Sequence, residues 1–421
     1  MPSETTPDTA YVWAWLPGAT KPVVAGVLRT VGDLVVFRYA ASYQENPEAV
    51  ALYLPELPLG NEVIEPIDSL EIAGCITDGA PDSWGQRVII RRLHGRWNRD
   101  VDVLDPLTCL LESGSDRFGA LDFQSSPTDY VPRSSAGTLE ELTEATERVE
   151  AGESFSPELE QALFAGSSLG GARPKAVVND NWQQLIAKFS KVDDPYPVVK
   201  AEGIAMNLAR HVGIDVAGTK VIECLGKDVL LVDRFDRNQV RGERRMTVSA
   251  LTIFGLSPMT GRYATYYDLA EVVRARFTDA QLSLREIFSR IVLNVCVGNT
   301  DDHARNHAAF WDPKTELLKL TPAYDICPQL RSGGEATQTM AIHPGEGGNL
   351  SRLATCVEAA EIYQLTRAEA RELIDRQLDV IRTQWNAAAD EVRLSKSERD
   401  GLWGRQILNP FCLEGFRAHA A

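Results

Sequence analysis

The sequence predicts an α+β fold in three consecutive parts: a β-containing N-terminal subdomain, a mixed lobe, and a mostly helical C-terminal lobe. Three observations predict it. Strand formers crowd the first sixty residues. A Gly/Ser cluster at 166–171 precedes two short strand patterns. The C-terminal part carries apolar residues at three- and four-residue spacing.

Tyr11-Val-Trp-Ala-Trp15 and Leu34-Val-Val-Phe-Arg-Tyr-Ala40 are rich in strand formers, the second after a Gly32-Asp33 turn, so residues 11–60 read as strands. Residues 80–112 read as helical and mixed. Gln124 to Gly137, with Ser125, Ser126, Pro127, Pro132, Ser134 and Ser135, is a loop by composition and closes a first unit, 1–125. Helical spacing returns over Thr138–Ala165. Two strands follow, Ala176–Val178 and Leu185–Phe189, split by an Asn179-Asp-Asn181 turn. A helix over Ala201–His211 ends near Gly213, and Val229–Val232 reads as a buried strand; these make a second unit, 126–255. In the third unit, 256–421, Leu284, Ile287, Phe288, Ile291, Val292 and Val295 share one helix face that stops at Gly298. Thr366-x-x-Glu369 is a capping box opening a helix through about Ala389.

Composition narrows the function. Of 421 residues, 44% are apolar and 24% charged, enough to bury a core. The net charge of −16 opposes sequence-independent binding to a phosphate backbone. Arg87, Arg91, Arg92 and Arg96 read as a solvated helix face. The seven cysteines form no C-x-x-C pair and read as reduced thiols. The first ten residues lack a basic region followed by an apolar run, and no stretch has the length of a bilayer span. A soluble, cytoplasmic protein with no membrane contact is expected.

The chemistry concentrates in Asn299-Thr-Asp-Asp-His-Ala-Arg-Asn306, directly after the helix of the third unit. It contains Asp-x-x-x-x-Asn, the spacing with which a kinase catalytic loop places a carboxylate for the substrate hydroxyl proton and an amide for a magnesium ion. Ala323-Tyr-Asp325-Ile326 lies downstream, where such enzymes hold a second metal ligand. Upstream, Leu185-Ile-Ala-Lys188 resembles the strand whose Lys pairs with phosphate, and Glu202 on the next helix is placed to orient that Lys. The Gly-rich segment 166–171 precedes both. Phosphoryl transfer asks a protein for phosphate positioning, metal ligands and a placed carboxylate, and all occur here in that order.

Other patterns compete. Gly166-Ser-Ser168-Leu-Gly170 matches G-x-S-x-G, the elbow of serine hydrolases, but helical spacing precedes it and Pro174 follows, where a strand and a helix are required. His303 and His307 have the i, i+4 spacing of metal ligands and Asp301 and Asp302 are adjacent, a His/Asp metal-site pattern, but without H-E-x-x-H; a satisfied, structural His307 is the simpler reading. A Walker A loop fails because Ala172 follows Gly171.

Four ordered segments together, Ser168-Leu-Gly-Gly-Ala-Arg-Pro-Lys175, Leu230-Leu-Val-Asp-Arg-Phe-Asp-Arg237, Asn299–Asn306 and Thr321-Pro-Ala-Tyr-Asp-Ile326, resemble the HipA family of bacterial serine/threonine kinases, toxins of toxin–antitoxin pairs. Asp78-Gly-Ala-Pro-Asp-Ser-Trp-Gly-Gln-Arg87 and Phe118-Gly-Ala-Leu-Asp-Phe123 are similar to that family's N-terminal subdomain, so the resemblance covers most of the chain. It implies a bilobal protein-kinase-like fold using ATP and Mg2+. Asp301 would be the proton acceptor, and Asn306 and Asp325 the magnesium ligands. Lys188 would contact the ATP phosphates. Gly170, Gly171, Ala172, Arg173, Pro174 and Lys175 would form the phosphate loop. Asp233, Arg234 and Phe235 would be the hinge beside adenine, and His303 and Tyr324 would line the nucleotide site. Ser168 would be the autophosphorylated serine, with Ser167 beside it as the alternative. The implied partners are a HipB-like helix-turn-helix antitoxin, through which alone DNA would be reached, and a protein substrate carrying Ser or Thr. Asp302 stands where Gly is common in the family, and Asp233 where Glu is common. A catalytically silent binding module, and an AMP transferase or small-molecule kinase of the same fold, are the alternative functions.

Overall fold

A computed structural model describes residues 7–94, 104–133, 137–151, 159, 163, 171, 173–180, 183–238, 242–331 and 333–416. The chain forms β1 (Thr9–Ala14), β2 (Val23–Val31) and β3 (Leu34–Tyr39), then α1 (Ser83–His94), α2 (Pro106–Leu111) and β4 (Leu121–Gln124). These strands make one antiparallel sheet in the order β3-β2-β1-β4. Alternation buries Ala10, Val12 and Ala14 on β1.

Residues 40–60, expected as strands, are irregular apart from a helical turn at Ala41–Gln44. The buried Leu52, Tyr53 and Leu57 belong to a loop held by side chains. The Tyr39 hydroxyl donates to Leu57 O at 2.7 Å and accepts from Leu52 N at 3.0 Å, while Tyr43 donates to Val50 O at 2.9 Å. Pro47, Pro55 and Pro58 supply no amide hydrogen for a ladder, so apolar composition alone does not make a strand here.

After α3 (Leu139–Ala151), β5 (Lys175–Asp180) and β6 (Gln183–Phe189) form the expected hairpin, each longer than its sequence core. β7 (Thr219–Cys224) and β8 (Lys227–Asp233) complete a four-stranded sheet, β5-β6-β8-β7. Against it packs α4 (Val198–His211), whose buried positions run almost unbroken from Val198 to Ala209. The half-buried alternation of β7 gave no sequence signal of its own.

A short ribbon, β9 (Arg237–Asn238) with β10 (Glu243–Arg244), leads to β11 (Thr247–Ser249), which pairs with β12 (Ala308–Asp312); β12 pairs with β13 (Leu317–Leu320). β12 and β13 interrupt the unit 256–421, expected to be mostly helical. The helices there are α5 (Ala250–Ile253), α6 (Tyr266–Arg276), α7 (Ala280–Val297), α8 (Leu353–Glu358), α9 (Arg367–Glu391) and α10 (Lys396–Leu402). α7 is the centre: Leu284, Ile287, Phe288, Ile291, Val292 and Val295 are fully buried. It stops at Gly298, left-handed with φ +72, where a Cβ would press 2.7 Å from Gln406 O. The Thr366–Glu369 capping box opens α9.

Charged residues join the N-terminal sheet to the rest. Asp236 accepts from Gly119 N at 2.9 Å and binds Arg234 through both oxygens, at 3.0 and 2.8 Å. Arg234 and Arg237 donate to the Arg117 carbonyl at 2.6 and 2.5 Å. Arg117 is itself fully buried on Asp122, at 2.7 Å. Such buried charge is tolerable only where, as here, it is paired and hydrogen-bonded.

Candidate phosphotransfer site

Lys188 points from β6 toward α4. Its Nζ donates to Glu202 Oε1 at 2.5 Å and also contacts Asp325 Oδ1, 137 residues later. The Lys188 and Glu202 side chains are only 12% and 5% exposed. Burial alone pulls the Lys188 ammonium down, but Asp325 and Glu202 outweigh it and hold the group above its ordinary range. Asp325, whose side chain is 42% exposed, shows the complementary effect: burial pushes it up, and Lys188 and Lys175 hold it well below the carboxylate range. The site therefore carries a fixed ammonium and an ionised, open carboxylate.

Asp325 has φ +59, the left-handed region that non-glycine residues seldom occupy and that costs on the order of 1–3 kcal/mol. Its neighbours hold it there. Ala323 N donates to Asp215 O at 2.7 Å, Ala217 N donates to Ala323 O at 2.9 Å, and the Tyr324 hydroxyl donates to Arg305 O at 2.7 Å. The last bond ties the Asp325 segment to the loop 299–306.

That loop is organised from beneath by Asp302, 3% exposed. It accepts from Asn294 Nδ2 at 2.7 Å and from the Tyr266 hydroxyl, and pairs with His307 Nε2 at 2.8 Å. Burial pushes Asp302 up, but His307 and these bonds hold it below the ordinary range. His307 is thus hydrogen-bonded through Nε2 as a structural histidine, with Nδ1 buried and without a partner, and among the described residues no group of three or more His, Cys, Asp or Glu is arranged to hold a metal ion. Asp301, the residue before Asp302, is exposed. Partial burial raises its carboxyl, His303 lowers it, and Asp325 and Asp302 raise it further; the net direction is up. Asn306 is 8% exposed, and buried His303 Nδ1 has no hydrogen-bond partner.

Of the phosphate-loop residues, Gly170 and Ala172 lie outside the described residues, as do Ser167, Ser168 and hence the G-x-S-x-G pattern. Gly171 has φ +110, and a Cβ there would collide with Lys175 Nζ. Lys175, 8% exposed, stands opposite Lys188 in the β5–β6 register, at the start of the strand that follows Pro174. Arg173 turns elsewhere, onto Asp194 at 2.6 and 2.8 Å. At the expected hinge, Asp233 is exposed and Arg234 is committed to Asp236. Phe235 lies tilted against Tyr324, with ring centroids 5.4 Å apart, and meets Phe118 at 6.2 Å and Phe310 at 6.0 Å edge-on. The structure so joins Lys188, Asp325, Lys175 and Gly171 at one place, with the 299–306 loop bonded to it, while Arg173 and Arg234 serve ion pairs beside it.

Sequence reasoning gave no role to Asp82 and Arg305. Asp82 accepts from Gly171 N at 2.5 Å and contacts Arg305 Nη1. It lies within the Asp78–Arg87 segment, whose resemblance to a family was the one signal. The helix that follows keeps Arg87 5.3 Å from the Trp84 ring, while Arg96 lies outside the described residues.

The family described as HipA-like C-terminal domain matches residues 167–385, and the HipA N-terminal domain matches 19–124. The serine/threonine-protein kinase toxin HipA of Shewanella oneidensis is 26% identical over 188 residues, 38% of this chain and 42% of that protein. A protein of Haemophilus influenzae is 26% identical over 181 residues, 38% of this chain and 52% of its own. The matched parts span about half the length of these curated relatives, or less. A structure of HipA from Shewanella oneidensis, solved with HipB and operator DNA, superposes with a TM-score of 0.70 at 19% identity over 95% of this chain and 96% of that one, so the two share one α+β, kinase-like fold. With its C-terminal match alone covering more than half of the sequence, the chain belongs to the HipA family.

Proposed function

We propose that this protein is an ATP-dependent serine/threonine kinase of the HipA type, the toxin of a toxin–antitoxin module. The observation that carries the proposal is Lys188 held between Glu202 and Asp325. A buried ammonium oriented by a carboxylate positions phosphate without moving at the moment of reaction. In this reading residues 1–125 are the N-terminal subdomain, 126–255 the lobe with the Gly-rich loop and Lys188, and 256–421 the helical lobe with the catalytic loop.

Each residue then has a task. Asp301, raised and exposed, accepts the proton of a substrate hydroxyl. Lys188 and Lys175 face the phosphates, and Gly171 lets the backbone approach them. His303 Nδ1, buried without a partner, suits a ligand atom. Phe235 and Tyr324 offer an aromatic wall to adenine. Magnesium fits the donor set: the ionised Asp325 and the Asn306 amide are hard oxygen donors, and phosphate oxygens and water would complete the shell, neutralising charge on the transferred group.

Ser168 is the proposed site of self-modification. A phosphoserine adds about −1.5 to −2 charges beside a nucleotide's own phosphates, so the modified loop loses ATP. For a partner, the reading takes a HipB-like helix-turn-helix antitoxin in the cytoplasm, with DNA reached through it, in keeping with the net charge of −16. The test is mass spectrometry of the protein after incubation with MgATP, with Asp301→Asn as control. Phosphate on Ser168 or Ser167 of the wild type alone supports the reading; a wild type that modifies neither itself nor any Ser/Thr protein contradicts it.

A further inference from the structure

Asp82 sits where a phosphate is wanted. It opens α1, its carbonyl accepting from Gln86 N at 2.9 Å. Its carboxylate reaches out of the N-terminal subdomain: Oδ2 accepts from Gly171 N at 2.5 Å, and Oδ1 contacts the Arg305 guanidinium. Lys175 Nζ lies against the same backbone, since a Cβ on Gly171 would collide with it. A backbone amide of the Gly-rich loop, a lysine and an arginine thus surround one carboxylate whose side chain is 18% exposed. The amide of a glycine of positive φ, with a lysine and an arginine, is the donor set of a phosphate site.

The placement is built. Asp78, four residues earlier, accepts from Ser249 N at 2.7 Å, Ser249 Oγ at 2.6 Å and Thr252 Oγ1 at 2.9 Å, fixing the turn on the start of α5. Arg117 clamps the same turn through Gly79 O at 2.8 Å. Asp82 is therefore delivered to the loop by a rigid support.

We infer that Asp82 is an internal anion, occupying the phosphate seat made by Gly171, Lys175 and Arg305 in the nucleotide-free protein and competing there with the polyphosphate chain of the nucleotide. The inference rests on the proposed nucleotide site and adds a competitor to it. The N-terminal subdomain thereby sets nucleotide affinity without contributing to adenine recognition. Because a carboxylate and a phosphate cannot share one set of donors, removing the charge favours the ligand.

The test is calorimetric titration of the full-length protein with MgATP, inorganic tripolyphosphate and adenosine. Asp82→Asn is expected to bind MgATP and tripolyphosphate about 10-fold tighter than wild type, a gain of about 1.4 kcal/mol, with adenosine unchanged. Asp82→Ala should tighten both as well, and Asp82→Glu, which keeps the charge, should not. Melting curves establish that the variants are folded, and any one folded neutral variant suffices. Affinity for both phosphate ligands that is unchanged or weaker in a neutral variant overturns the inference, as does an equal gain for adenosine. Tighter tripolyphosphate binding with no preference for ATP over tripolyphosphate in any variant would sustain the seat and overturn the nucleotide reading.

Discussion

Lys188 Nζ lies 2.5 Å from Glu202 Oε1, a contact between a strand of the sheet and the helix packed on it. Because Lys188 also contacts Asp325, its position reports on both lobes at once. Glu202→Gln leaves Asp325 as the remaining charged partner and frees the ammonium to swing. Turnover should fall about 10²-fold, the usual cost of misplacing a reacting group by about an ångström. Thermal unfolding should show a loss of about 1–3 kcal/mol from the lost charged hydrogen bond. Steady-state kinetics beside a melting curve check both.

Asp301 should set the acid limb of the pH profile. Its carboxyl is raised above the ordinary 3.8, and a base works only when deprotonated, so kcat/KM falls as pH drops through that raised value. Asp301→Asn should keep the fold, lower phosphorylation by about 10²–10⁴-fold and remove that limb. An acid limb unchanged in the mutant would assign it to another group.

Magnesium dependence should follow Asn306 and Asp325. Asn306→Ala and Asp325→Ala each remove a hard oxygen donor, and the magnesium midpoint at fixed ATP should rise by about 10-fold or more. Asp325→Ala also puts alanine at φ +59, a left-handed conformation that aspartate tolerates better, and strips Lys188 of a partner, so its melting temperature falls too. Midpoints equal to wild type in both variants would place the metal elsewhere.

The Asp302 network should appear in the pH dependence of stability. Its folded carboxyl is depressed, so it contributes stability fully present above the ordinary value of 3.8 and lost as pH falls through the folded value. Asp302→Asn should cost about 1–3 kcal/mol at neutral pH and reduce the loss of stability on acidification. Denaturant titrations at pH 7 and pH 3 measure this difference.

The two kinds of signal in the sequence fared differently. Period and caps were legible: the face of α7 from Leu284 to Val295, the Gly298 stop and the Thr366–Glu369 box depend on local chemistry, and the structure has them all. Short strands such as β7, β12 and β13 were missed because tertiary pairing, more than their own pattern, makes them strands. At the site, the order Gly-rich loop, Lys188, Glu202, Asp301, Asn306, Asp325 was readable, and the meeting of Lys188 with Glu202 and Asp325 followed it. Asp82 was not readable, because its partners Gly171 and Arg305 lie 89 and 223 residues away and no local spacing reports such a contact. Asp302 stood out as a departure from a resemblance and as one member of a conceivable His/Asp site, and its pairing with His307 and Tyr266 supplies the physical reason for a carboxylate there.

The measurement that bears most directly on the central claim is incubation of the purified full-length protein with γ-labelled and, separately, α-labelled ATP plus magnesium. The Lys188–Glu202–Asp325 arrangement predicts label on Ser or Thr from γ-labelled ATP only, and none in Lys188→Met. Label from α-labelled ATP would make the protein a nucleotidyl transferase, and label from neither would make it a binding module; either result contradicts the account.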